Sequence, residues 1–207
     1  MRAAALLMIC ALAIPATGQS DRPFAHPKQG LIDMLMEYMK ARYPEHATSG
    51  DVLYVSVARQ RLFHARGGIL LAEYLIATSS NGLGSAQDSY RTPEGLHRVA
   101  EKHGAATPLY GILKDRDFTG QIADPDVGGA DKDWITTRIF WLDGLEPGLN
   151  KGAPVDSYER FIYIHGTANE RSLGTPSSRG CIRMRNEDVV ELFEQVGVGA
   201  LVVILDN

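Results

Sequence analysis

Asp51-Val-Leu-Tyr-Val-Ser-Val57 sets Leu53, Val55 and Val57 on one side of an extended chain, and this period of two decides the fold class. A second apolar run follows Arg61, and a third extends from Ile69 to Thr78 behind the Gly67-Gly68 turn. The segment therefore reads as antiparallel strands. Further out, a Gly- and Ser-rich loop from Ser79 to Ser89 leads to the turn Thr92-Pro93-Glu94-Gly95 and a strand over Leu96 to Glu101. Strand-like sequence returns at Trp134 to Leu142 and at Arg160 to His165, and Ala200 to Leu205 reads as a fully buried strand.

Few helices interrupt this pattern. From Pro27 to Tyr43 apolar residues recur at helical spacing, with Leu31, Leu35, Tyr38 and Met39 widened by Ile32 and Met34, and Pro44 stops the run. A short helix is predicted after Asn186 as its cap, with Glu187 and Asp188 in the first turn. Val189, Val190, Leu192, Phe193 and Val196 form its apolar face, and Gly197 ends it. Gly104 to Asp133 shows no period and is polar, so it is expected to be a long loop and a wall of a substrate cleft. The sum is a mainly-β domain with few helices, arranged as two packed sheets and preceded by one amphipathic helix.

The N-terminus predicts export. Met1-Arg2 precedes an apolar run from Ala3 to Ile14, which is shorter than the roughly 20 residues of a membrane span, and Ala16-x-Gly18 offers small residues for cleavage. The expected organisation is a signal peptide over 1–18, a helical segment over 19–50 and a catalytic domain over 51–207, with no stable membrane anchor after cleavage. The protein is then placed in the periplasm or at the cell wall. Loss of Arg2 takes the formal charge from −4 to −5, an acidic balance that argues against a nucleic-acid partner. Cys10 leaves with the signal peptide. The mature chain then carries one thiol, Cys181, in a compartment where paired cysteines become disulfides.

Chemistry concentrates in Phe161-Ile-Tyr-Ile-His-Gly-Thr167 and Ser177-Ser-Arg-Gly-Cys-Ile-Arg-Met184. Alternation sends Ile162, Ile164, Ile182 and Met184 to the core and collects Tyr163, His165, Cys181 and Arg183 on the other side. A thiol attacks as thiolate and needs a base, which His165 supplies. Gly180, without a Cβ, lets a ligand approach the backbone, so that the N–H groups of Gly180 and Cys181 converge on one oxyanion. The other histidines (His26, His46, His64, His97 and His103) lack ligand-like spacing, so no metal is expected, and no cofactor motif is present.

Ile164-His165-Gly166 followed by Ser178-Arg179-Gly180-Cys181-Ile182-Arg183-Met184, with sixteen positions from His165 to Cys181, resembles the YkuD-type L,D-transpeptidases. The resemblance extends from about Asp51 to Ile204 and includes Thr92-Pro93-x-Gly95, Thr137-Arg138 and the turn from Gly174 to Pro176. It implies a β-sandwich-like catalytic domain acting on peptidoglycan stem peptides. In that family a Cys attacks the carbonyl of the third stem residue, expels the terminal D-alanine and passes the acyl group to an amine or to water. On that basis Cys181 is the nucleophile, His165 the base and the Gly166 carbonyl its orienting partner. Backbone N–H groups of Arg179, Gly180 and Cys181 are the oxyanion donors, and Arg183, Tyr163 and Ser178 line the substrate site. Arg179 departs from the common pattern, which has a second His there, and an Arg cannot act as a base. The segments Gly104 to Asp133 and Ala168 to Ser177, with Asp115, Asp117, Asp124 and Asp126, are the expected walls of an acceptor groove.

Overall fold

The computed structural model describes residues 28–46, 50–125 and 133–207. The expected signal peptide and Asp126 lie outside the described residues. The strands are β1 (Asp51–Ser56), β2 (Arg61–Arg66), β3 (Ile69–Ala77), β4 (Gly95–His103), β5 (Gly111–Lys114), β6 (Asp117–Ile122), β7 (Ile135–Gly144), β8 (Tyr163–Thr167), β9 (Ile182–Met184) and β10 (Leu201–Leu205). The helices are α1 (Gln29–Arg42) and α2 (Asn186–Gln195).

All ten strands belong to one sheet, ordered β4-β10-β1-β2-β3-β9-β8-β7-β5-β6, and β4 pairs with both β10 and β7. The first eight strands in that order therefore close into a ring, which protects their edges, and the β5–β6 hairpin hangs from β7. The two expected layers are opposite walls of this one closed sheet. Alternation reveals which face of a strand is buried but not which strand lies beside it, so closure was not legible. The pairings β1–β2 and β2–β3 are antiparallel as expected, whereas β1–β10 and β8–β9 are parallel.

The ring interior is filled by alternate residues of its strands, among them Leu53, Val55, Leu62, Phe140, Ile164 and Ile182, and by Val189, Leu192 and Phe193 of α2. On the outside, α1 lays Ile32, Leu35 and Met39 against Val52, Tyr54, Phe63 and Val203. Full burial of each such side chain contributes about 2 kcal/mol by transfer from water. β1 is thus apolar on both faces because one faces the interior and the other α1. The predicted stripe of α1 is narrower than expected: Met34 is 72% exposed and Tyr38 lies at the rim.

Two local expectations are corrected. The segment after Gly104 is no simple loop but contains β5 and β6, joined by Asp115 and Arg116 at φ 50° and 74°. Hairpin turns with two left-handed residues usually announce themselves as Asn-Gly, and β6, exposed throughout, has no buried face to impose a period. Asn186 is the first helical residue of α2 and makes no side-chain cap. Glu170 Oε1 accepts the Asn186 N–H instead, at 2.9 Å.

Candidate active site

His165 stands on β8 and Cys181 immediately before β9, the neighbouring parallel strand. The register pairs Ile164 with Ile182 and His165 with Arg183, which sets Cys181 opposite Tyr163. His165 lies two positions further on and one strand over, a Cα offset of about 8 Å that two side chains on the same face can largely span. The Tyr163 N–H donates to Cys181 Sγ at 3.4 Å, and the thiol donates to the Phe161 carbonyl at 3.4 Å. Phe161, at φ 55°, turns its backbone into the site just before β8 begins.

The imidazole is 1% exposed, and its Nδ1 contacts the Gly166 carbonyl at 2.7 Å. A carbonyl only accepts, so Nδ1 carries the proton and Nε2 keeps the lone pair. Gly166 is required by packing. A Cβ there would fall 2.7 Å from Asn186 Oδ1 and 2.8 Å from the Thr136 carbonyl. Asn186, wholly buried, ties this region together, because its Oδ1 accepts from the Thr136 and Thr137 hydroxyls while its Nδ2 donates to the Thr167 carbonyl and Glu170.

Burial dominates the electrostatics. Desolvation pushes the Cys181 thiol up to about 11, against the Tyr163 N–H and the cations Arg183 and Arg160, which favour the thiolate. Desolvation also lowers the His165 imidazole below its ordinary value, against the nearby Asp133 carboxylate and the Gly166 carbonyl. The resting pair is therefore neutral thiol and neutral imidazole. The thiol's hydrogen bonds run to Tyr163 and Phe161 rather than to the ring.

The loop carrying Cys181 is held from behind. Gly180, at φ 121°, a conformation that favours glycine, presents its carbonyl to the buried Thr92 hydroxyl at 2.9 Å. Thr92 also accepts the Ser79 N–H, which gives the Thr92-Pro93-x-Gly95 element a physical role. Ser178 is 1% exposed; its hydroxyl donates to the Cys181 carbonyl and accepts the Gly180 N–H at 3.2 Å. The Gly180 N–H, expected as an oxyanion donor, thus lies against the Ser178 hydroxyl, and Ser178, expected at the substrate site, sits buried behind the loop.

Arg183, expected to line the substrate site, is 6% exposed and ion-paired with Asp133 at 2.5 Å. Tyr163 is buried, its ring edge-on to Trp141 at 5.5 Å. Arg179, two positions before Cys181, is exposed. Two cations were missed by sequence reasoning. Arg160 donates to the Arg91 carbonyl and is close enough to Cys181 to favour its thiolate, and Arg116 lies over the Trp141 ring at 4.7 Å with its Nη1 3.5 Å from Tyr163 Oη. Neither sits in a motif, so only the fold brings them in.

The sequence model of the L,D-transpeptidase catalytic domain, YkuD, matches residues 50–204, three-quarters of the chain. The chain belongs to the L,D-transpeptidase catalytic domain family. Among curated members it is 34% identical to YqjB of Bacillus subtilis over 116 residues, covering 56% of this chain and 53% of YqjB. It is 43% identical to YkuD of the same organism over 60 residues, 27% of this chain and 37% of that one. YbiS of Escherichia coli K12 is 47% identical over 48 residues, 23% of this chain and 16% of YbiS. The chain thus spans about half the length of YqjB and less of the other two. L,D-transpeptidase 3 of Mycobacterium tuberculosis overlaps 76% of this chain and 61% of its own at 15% identity and a TM-score of 0.48. The L,D-transpeptidase of Enterococcus faecium overlaps 77% and 51% at 16% identity and the same TM-score. Among the described residues no helix is long and apolar enough to cross a membrane.

Proposed function

We propose that the chain is a peptidoglycan L,D-transpeptidase with Cys181 as nucleophile and His165 as general base. The observation that carries this reading is the His165 Nδ1 contact with the Gly166 carbonyl, on the strand beside Cys181, since it reserves Nε2 for a proton. On substrate binding Nε2 takes the thiol proton as Sγ bonds to the carbonyl carbon of the third stem residue. The oxyanion forms against the backbone N–H groups of Cys181 and Arg179, such donors typically being worth roughly 3 kcal/mol each. Collapse breaks the bond to D-alanine, whose nitrogen takes the proton from His165. A stem amine then attacks the thioester, gives its proton to His165, and Cys181 regains its own, leaving a 3→3 cross-link.

Arg183 acts through its ion pair with Asp133, holding charge behind the pair rather than gripping substrate. The apolar segment from Ala3 to Ile14 and the small residues after it support export to the periplasm or cell wall, where this substrate lies. The test is incubation with disaccharide-tetrapeptide alone and mass analysis of the products. A cross-linked dimer with loss of D-alanine is expected, whereas tripeptide and free D-alanine alone would make the protein an L,D-carboxypeptidase. No product at all would leave a wall-binding module.

A further inference from the structure

Arg183 and His165 are registered partners across β9 and β8, on the face opposite the core residues Ile182 and Ile164, so a guanidinium stands beside the imidazole. Both residues are buried, and neighbouring strands lie only about 4.8 Å apart. Asp133 comes from the other flank, two residues ahead of β7, and its carboxylate meets Arg183 Nη2 at 2.5 Å. The ion pair therefore joins the two flanks of β8 on the face that carries His165. The Arg183 side chain is 7% exposed and that of Asp133 24%, so these charges are poorly screened by water.

The pair acts by charge more than as a clamp. Arg183 Nε is buried and has no hydrogen-bond partner among the described residues, whereas a clamp would set Nε and Nη2 against both carboxylate oxygens. When His165 Nε2 takes the thiol proton, the Sγ–H bond breaks, an Nε2–H bond forms, and a thiolate and an imidazolium replace two neutral groups. That imidazolium faces a guanidinium one strand away, and the Gly166 carbonyl, a neutral acceptor, does not balance it. The charged and titratable groups that face His165 and Cys181 are Arg183 on β9, Tyr163 on β8, Arg160 shortly before it, and Asp133. Asp133 is the carboxylate among them, and its charge acts on both His165 and Cys181. Arg160 is spread over the carbonyls of Gly84 and Arg91 and the Ser89 hydroxyl, so it takes no part of that charge by contact.

We propose that Asp133 is a positioning residue for the acyl transfer, which neutralises Arg183 beside His165 and so sets the pH range over which the imidazole can take the thiol proton. A carboxylate near an imidazole favours its charged form, and near a thiol it favours the neutral form. With Asp133 in place the buried base keeps its strength as a proton acceptor, and the resting thiol keeps its proton. Without Asp133 the Arg183 charge stands bare, and both groups give up their protons at lower pH. This inference rests on the reading of Cys181 and His165 as the acyl-transfer pair.

Two titrations that use no stem peptide test it on the full chain: the rate of Cys181 alkylation by iodoacetamide against pH, and the His165 ring signal followed by NMR. In Asp133→Asn the thiol should titrate lower than in wild type, with alkylation near pH 8 about 10-fold faster, and His165 should titrate lower too. Arg183→Gln leaves the carboxylate alone and should do the reverse, with alkylation about 10-fold slower and His165 titrating higher. A pair that only holds the fold would shift neither titration, or shift both variants in one direction, and either result overturns the proposal. Should Asp133→Asn fail to fold, the direction of the shift in Arg183→Gln decides alone, since the carboxylate left unpaired there is partly exposed. On a tetrapeptide stem the acid limb of kcat/KM should move with His165 in each variant, and a limb that stays while the imidazole moves overturns the proposal. Titrations that shift as stated, in a protein whose wild type turns over no stem, would uphold the charge coupling and sink the transpeptidase assignment instead.

Discussion

His165 Nδ1 lies 2.7 Å from the carbonyl oxygen of Gly166, the next residue along β8, so the imidazole is oriented by its own strand rather than by a distant carboxylate. A neutral acceptor fixes the tautomer as well as Asp would but does less to stabilise an imidazolium. Together with burial, this keeps the resting imidazole unprotonated.

The first consequence concerns pH. The base must be neutral to act, and desolvation lowers its pKa, so the acid limb of kcat/KM should fall below the ordinary histidine value of about 6.5. The thiol, raised to about 11, should be alkylated by iodoacetamide slowly at pH 7, with the rate rising about tenfold per pH unit until that range. Fast, pH-independent alkylation at neutrality would show a resting thiolate–imidazolium pair instead.

Asn186 is the second test. Replacing it with Ala strips partners from the Thr136 and Thr137 hydroxyls, the Thr167 carbonyl and Glu170 in a wholly buried place. Thermal or denaturant unfolding should show a loss of about 2–4 kcal/mol. A change under about 0.5 kcal/mol would mean that these groups find water or one another.

Ser178 braces the nucleophile loop, so Ser178→Ala should act on chemistry more than on binding. Releasing the Gly180 N–H and the Cys181 carbonyl lets Gly180 leave φ 121°, and kcat should drop about 10-fold or more with KM nearly unchanged. A raised KM at constant kcat would return Ser178 to the substrate site.

The sequence carried what depends on local spacing. The alternation of Ile162, Ile164, Ile182 and Met184 points these residues inward as expected, and α1 lies where its stripe of apolar residues predicts. Facts that depend on partners distant in the chain were hidden. Arg183 is claimed by Asp133, fifty positions earlier, and Asn186 by threonines on β7, partners that neither residue's neighbours in the chain announce. The Gly180 N–H is lost to Ser178, only two residues away, because a hydroxyl's direction is set by the loop's shape rather than by its order. The β5–β6 turn hid because Asp-Arg adopts a conformation usually left to Asn-Gly.

The acyl-enzyme itself tests the central claim most directly. Intact-protein mass spectrometry within the first turnovers on a tetrapeptide stem should show the chain heavier by the tripeptide acyl group, with fragmentation placing it on Cys181. The His165→Ala protein should form it at least about 100-fold more slowly and the Cys181→Ala protein not at all. An adduct that persists in Cys181→Ala, or turnover of the stem by that variant, would contradict the account.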